Sequence, residues 1–150
     1  MTVQPGREDH LIVLMDNMQL FVTPFSSDRP GEDTTFTHLV SSFHYGTIHG
    51  MDVAQRKALL ATCGSDKTIR VWNYIDNTLE VSETFKEESF SVAFHPSGFN
   101  LVVGFADRLR IMNVFSKSIV AYKEIPIKAC REVRFSHGGH LFAAANGHII

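Results

Sequence analysis

The feature that most narrows what this chain can fold into is a period of 41 residues. Met51-Asp52-Val53 recurs as Val92-Ala93-Phe94 and again as Val133-Arg134-Phe135, each a short stretch of strand character. A fixed repeat in this range means that one supersecondary unit is stacked on copies of itself, because such a unit cannot bury its apolar face alone. After each copy comes a polar turn, then an apolar strand, then a second turn. That second turn is Asp66-Lys67 in one unit, Asp107-Arg108 in the next and Asn146-Gly147 in the third. Short Asp and Asn side chains hydrogen-bond nearby backbone and tolerate left-handed conformations, so each marks a hairpin. Upstream, residues 11–15, Asp16-Asn17 and residues 18–22 repeat the order strand, turn, strand.

The clearest unit divides into strands at 48–53, 58–64, 68–73 and 79–85, with Asp76-Asn77 turning the third into the fourth. Pro96-Ser97-Gly98 and His137-Gly138-Gly139 supply the first-to-second turns of the following units. Four antiparallel strands per repeat make a propeller blade. The second and third strands are apolar at odd and even positions alike, as in a sheet covered on both faces by neighbouring blades. No stretch asks for a long helix. The expected fold is therefore all-β, a partial β-propeller of about three to four antiparallel four-stranded blades, the first and last incomplete. Its expected divisions are an incomplete blade at 8–43, blades at 44–85 and 86–126, and an incomplete blade at 127–150. On this reading the chain opens on a second-type strand near His10 and stops at Ile149-Ile150, just inside a third-type strand, so that both ends cut a blade. An open arc of that kind exposes an apolar face and an unpaired edge near Ala145, which predicts association in water. The step from Asp16 to Asp66 is 50 residues rather than 41, and residues 26–35, with Asp28, Pro30, Gly31 and Asp33, carry the surplus as a polar loop.

Charge and composition remove several classes of function. Fourteen Lys and Arg against sixteen Asp and Glu leave a net charge of -2, no electrostatic footprint for nucleic acid or an anionic membrane. The longest apolar runs, residues 58–63 and 141–145, fall far short of the roughly 20 residues a bilayer crossing needs. Residues 1–9 are polar and acidic, unlike the basic start and apolar run of a secretory signal, so a reducing compartment is expected. Cys63 and Cys130 have no metal-ligand spacing around them and read as small buried hydrophobes. His137 with His140, and His44 with His49, are the closest histidine pairs, but neither has the third ligand a catalytic zinc requires. Neither phosphate-cradling glycine loop occurs. Asp107-Arg108-Leu109-Arg110 reads as a solvated basic turn. No catalytic, cofactor or metal site, and no small-molecule substrate, is expected.

The string Ala61-Thr62-Cys63-Gly64-Ser65-Asp66-Lys67-Thr68-Ile69-Arg70-Val71-Trp72-Asn73 resembles the second-to-third strand hairpin of WD repeats, with Asn73 where an Asp usually ends the motif. His44 falls where those repeats place a histidine. The resemblance implies a buried structural tetrad: the Trp72 indole to Thr62, Thr62 to His44, and His44 to Asp66. Such a set gives each buried polar group a partner. On this account His44→Ala costs about 1 to 3 kcal/mol, since Thr62 and Asp66 each lose a partner. A nucleophilic Thr–His–Asp triad is the alternative use of the same residues. It is disfavoured because an indole can only donate, so Trp72 occupies the acceptor side of the Thr62 hydroxyl and holds it inside the blade. In the next unit the corresponding places hold Phe85, Val103, Asp107 and Met112, an Asp turn with apolar packing.

Two further strings are more distinctive. One is His95-Pro96-Ser97-Gly98 continuing through Val102-Val103-Gly104-Phe105-Ala106-Asp107-Arg108-Leu109-Arg110-Ile111-Met112-Asn113. The other runs Cys130-Arg131-Glu132-Val133-Arg134-Phe135-Ser136-His137-Gly138-Gly139-His140-Leu141-Phe142-Ala143-Ala144-Ala145-Asn146-Gly147. Both resemble the cilia- and flagella-associated protein 57 family of WD-repeat proteins, and the similarity runs from about Arg7 to Ile150. The resemblance implies propellers followed by coiled coil, a cytoplasmic and cytoskeletal location at the axoneme of motile cilia or flagella, and a part in assembling inner dynein arms. Implied partners are axonemal or dynein-arm proteins. This chain has no coiled-coil heptads and so represents part of the propeller region. A substrate receptor of a ubiquitin ligase is the runner-up. Propellers of that kind usually carry Arg or Lys where this chain has Ile75. The expected contact rim comprises Lys67 and Arg108 from the turns with Glu87, Glu88, Lys128 and Arg131 from the loops entering each blade.

Overall fold

The computed structural model describes residues 2–4, 7–16, 19–24, 36–39 and 43–147. The loop at 26–35 and the strand expected at Ile149-Ile150 lie outside them. Among the described residues all regular structure is β, fourteen strands in antiparallel sheets. The chain divides into two compact units, Met1–Tyr45 and Gly46–Ile150.

In the first unit β1 (Thr2–Gln4), β2 (Arg7–Leu14), β3 (Leu20–Pro24) and β4 (Thr37–His38) form one sheet in that order. The second-type strand expected near His10 is β2. β1 precedes it, with Thr2 opposite Ile12 and Val3 opposite Leu11. Three residues before Pro5-Gly6 are too few for alternation to register, and β2 begins in the polar run Arg7-Glu8-Asp9 rather than at the apolar Leu11.

The second unit holds β5 (Ile48–Val53), β6 (Leu59–Gly64), β7 (Thr68–Asn73) and β8 (Thr78–Thr84) in one four-stranded sheet. A second is made of β9 (Ser89–Phe94), β10 (Asn100–Phe105), β11 (Leu109–Val114) and β12 (Ile119–Ile125). β13 (Glu132–Phe135) and β14 (Phe142–Ala145) pair as a two-stranded sheet among the described residues. β5 and β7 have the expected bounds, whereas β6 starts one residue later and β8 lies one residue earlier.

Register explains a subtlety of the repeat. Thr62 pairs with Arg70 and Leu60 with Trp72, while Val103 pairs with Arg110 and Leu101 with Met112. The β10–β11 turn is thus one residue shorter than the β6–β7 turn. Met112, not Asn113, stands where Trp72 does, although Asn113 is 41 residues after it.

Turn chemistry follows local sterics. Gly98 and Gly139 close the first-to-second turns at φ 75°, a region that glycine enters without cost. In the β6–β7 turn the left-handed residue is Lys67 (φ 60°), and Asp66 contributes through its side chain, accepting the Thr68 amide at 3.2 Å. Asn73 caps the β7–β8 turn, its side-chain oxygen accepting the amides of Ile75 (3.1 Å) and Asp76 (3.3 Å).

Alternation puts Val92, Phe94, Leu101, Val103 and Phe105 into one core with Ala61, Cys63, Ile69 and Val71, while Ala93 and Val102 belong to a second core with Cys130 and Val133. The middle blade is therefore covered on both faces, the cause of its unbroken apolar strands. Each fully buried aliphatic or aromatic side chain contributes about 1.5 to 3 kcal/mol. Polar ties cross between sheets as well. The Phe94 amide donates to Asp52 Oδ2 (2.7 Å) and the Ser91 hydroxyl to the Cys130 carbonyl (2.8 Å). The approach is close enough that a Cβ on Gly104 would collide with the Cys130 carbonyl oxygen and the Ser91 hydroxyl.

Candidate interaction face and blade staples

Along β7, Thr68, Arg70 and Trp72 alternate and so share a face of the sheet. Trp72 Nε1 donates to Thr62 Oγ1 at 2.9 Å, tying β7 to β6. Asp66 Oδ1 accepts from the Thr68 hydroxyl at 2.9 Å, Asp66 Oδ2 lies 3.9 Å from Arg70 Nη2, and Arg70 Nε donates to Thr68 Oγ1 at 3.3 Å. The Arg70 and Asp66 side chains are only 5% and 0% exposed. Sequence reasoning missed Thr68 and Arg70, although the period of two from Trp72 points to both. His44 belongs to the first compact unit, so the resemblance alone carries its membership of the tetrad.

The following blade performs the same task with other chemistry. Val103 and Met112 are fully buried, and the Phe85 and Phe105 rings pack with centroids 5.2 Å apart. Arg110 stacks its guanidinium 4.4 Å from the Phe105 ring centre and pairs with Asp107 at 2.9 Å and Glu124 at 3.2 Å. Arg108, one of the expected rim residues, is engaged by Glu124 and Asp107, and these hydrogen bonds raise its pKa above the ordinary value.

Backbone bonds gather the turns and the entering loops onto one rim. The Phe85 amide donates to the Lys67 carbonyl (2.8 Å), that of Ala106 to Glu88 (3.0 Å) and that of Ala129 to Phe105 (3.0 Å). Lys67, Arg108, Lys128 and Arg131 are exposed on this rim, while Glu87 and Glu88 are half-buried. The rim also carries a feature that sequence reasoning missed. His49, Phe90 and Arg131, each 41 residues from the next, come together across three successive blades. The His49 and Phe90 rings meet edge to face at 5.7 Å, Arg131 lies 4.9 Å over the Phe90 ring, and His49 Nε2 is 3.0 Å from Glu88 Oε1. A guanidinium stacked on an aromatic ring keeps its outward N–H groups available for hydrogen bonding.

Neither cysteine is poised for chemistry. Burial pushes the Cys63 thiol up to about 12 and moves that of Cys130 in the same direction, so both stay protonated at neutral pH. Among the described residues, no three His, Cys, Asp or Glu side chains are grouped so that they could hold a metal ion, and no helix is long and apolar enough to cross a membrane.

Residues 36–73, the span that contains His44, Thr62, Asp66 and Trp72, match the WD40 family (WD domain, G-beta repeat). This chain contains a WD repeat. Its fold is shared with the crystal structure of RRP9 WD40 repeats, at a TM-score of 0.61 and 13% identity, over 84% of this chain and 40% of that one. Among curated proteins, this WD-repeat chain is 48% identical over 142 residues to cilia- and flagella-associated protein 57 A of Tetrahymena thermophila, covering 93% of the chain and 11% of that protein. It is 43% identical over 145 residues to cilia- and flagella-associated protein 57 of Mus musculus, covering 95% of the chain and 12% of that protein. The chain thus spans about a tenth of the length of these relatives.

Proposed function

We propose that this chain is part of a non-catalytic WD-repeat scaffold that assembles axonemal components, inner dynein arms among them, in motile cilia and flagella. The observation that carries the reading is the 48% and 43% identity to proteins named cilia- and flagella-associated protein 57, sustained over 93% and 95% of the chain. Rigid blades suit the role, because residues fixed on short turns bind without a large ordering cost. Its partners are axonemal proteins, received on the rim of Lys67, Glu87, Glu88, Arg108, Lys128 and Arg131, with Arg131 on Phe90 as the anchor. The location is the cytoskeleton of the cilium or flagellum. The tetrad of His44, Thr62, Asp66 and Trp72 is structural.

Expression of the full-length tagged protein in motile ciliated cells tests this reading. Axonemal retention is expected, reduced by Arg131→Glu. A diffuse cytosolic protein that co-purifies with a ubiquitin ligase would overturn it in favour of a substrate receptor.

A further inference from the structure

The second-strand and fourth-strand turns of the β5–β8 and β9–β12 blades lie at the strand ends opposite the His49–Phe90–Arg131 ladder, as antiparallel pairing requires. There the two blades part to form a cleft of about 650 Å³. Its apolar surface comes from Leu59 and Val81 of one blade and Val114 of the other. Phe99 and Phe115 line it too, and they are 57% and 53% exposed, a large amount of aromatic surface to leave in water. Both walls belong to four-stranded blades.

The polar groups say what kind of occupant fits. Lys57 holds its ammonium 3.4 Å from the Phe99 ring centre, which places a cation in the cleft, while the exposed Glu80 supplies a carboxylate from β8. Asn100 Nδ2 donates to Asn113 Oδ1 at 2.6 Å. That bond uses one donor of Asn100 and one acceptor site of Asn113, so the Asn100 oxygen and the Asn113 NH2 remain as an acceptor and donor pair. Such a pair matches the N–H and C=O of a peptide backbone.

We infer that this cleft is a second docking site, taking an extended peptide segment with one large apolar side chain flanked on the same face by an acidic and a basic residue. In an extended segment residues i−2, i and i+2 share a face, so the acid meets Lys57, the apolar side chain sits on Leu59, Val81 and Val114, and the base meets Glu80. The amide pair of Asn100 and Asn113 fixes the backbone between them.

Fluorescence anisotropy with the full-length protein provides the test. The probes are labelled nonapeptides whose central five residues are Asp-Gly-Phe-Gly-Lys, the doubly acidic Asp-Gly-Phe-Gly-Asp, the doubly basic Lys-Gly-Phe-Gly-Lys, and the mixed probe with Ser for Phe. The mixed probe is expected to bind saturably and about threefold more tightly than either like-charged probe, and the Ser probe to lose roughly tenfold or more. Lys57→Glu should shift the preference to the doubly basic probe and Glu80→Lys to the doubly acidic one, a pattern that misfolding cannot imitate. Absence of saturable binding, indifference to the central Phe, or preferences unmoved by the two charge reversals would overturn the proposal. It stands or falls independently of the axonemal reading.

Discussion

In the β5–β8 blade the second and third strands are tied by an indole-to-hydroxyl bond, Trp72 to Thr62, whereas in the β9–β12 blade the matching places hold the fully buried Met112 and Val103. The turn beside them keeps an Asp paired with an Arg of the third strand in both blades, Asp66 with Arg70 and Asp107 with Arg110. What varies is solvent access. The first pair is 0% and 5% exposed and the second 28% and 16%. Strand register and the turn Asp are thus the common elements, while the lock between strands can be polar or apolar. A fully satisfied polar pair and a pair of apolar side chains are close in net stability; only a half-removed polar pair is costly.

The largest effect expected from this contrast lies in the apolar blade. Phe105 is fully buried against Phe85 and under Arg110, so Phe105→Ala should cost about 3 to 5 kcal/mol. The loss should appear as faster hydrogen exchange throughout β9–β12 in the full-length protein. Exchange confined to the neighbourhood of residue 105 would show that this blade is not a cooperative unit. Next come the two turn carboxylates. Asp66→Ala removes an acceptor of the Thr68 amide and hydroxyl from a buried site and should cost about 2 to 3 kcal/mol. Asp107→Ala, in a half-buried pair with more access to water, should cost less, about 1 kcal/mol. Equal costs would remove burial as the difference between the blades.

The smallest effect concerns pH. Burial raises the Cys63 pKa from 9.0 to about 12, so the folded state holds the thiol proton more tightly than the unfolded chain does. The associated stability is complete below pH 9 and is lost as pH rises from there towards 12. Cys63→Ala should therefore lose less stability than the wild type above pH 9, and parallel losses would contradict this.

Much of this was legible because the turn residues are explicit. Asp66-Lys67 and Asp76-Asn77 locate β5 to β8 to within a residue, Pro96-Ser97-Gly98 marks the turn from β9 to β10, and the recurring Val-x-Phe places β9 and β13. Three features escaped for different physical reasons. β1 is too short for a pattern. His49, Phe90 and Arg131 occupy one repeat position with three unlike side chains, so a search for similarity passes over them, although writing the repeats beneath one another aligns them. The cleft joins turns about forty residues apart through packing alone, and no local motif announces packing. The Trp72–Asn73 ending named the repeat, yet the residues that engage Asp66 within the blade, Thr68 and Arg70, are signalled only by the period of two along β7 from Trp72.

The most direct test copies one blade's lock into the other. Hydrogen exchange at β6 and β7 of the full-length protein would be compared for Thr62→Val, Trp72→Met and the double variant, which together install the Val103 and Met112 pair. If the two locks are alternatives, each single change weakens the strands, and the double change costs less than the sum of the singles by about 1 kcal/mol. Costs that add to within about 0.3 kcal/mol would mean that Trp72 and Thr62 act separately, and would contradict the account of the blade as a register held by interchangeable pairs.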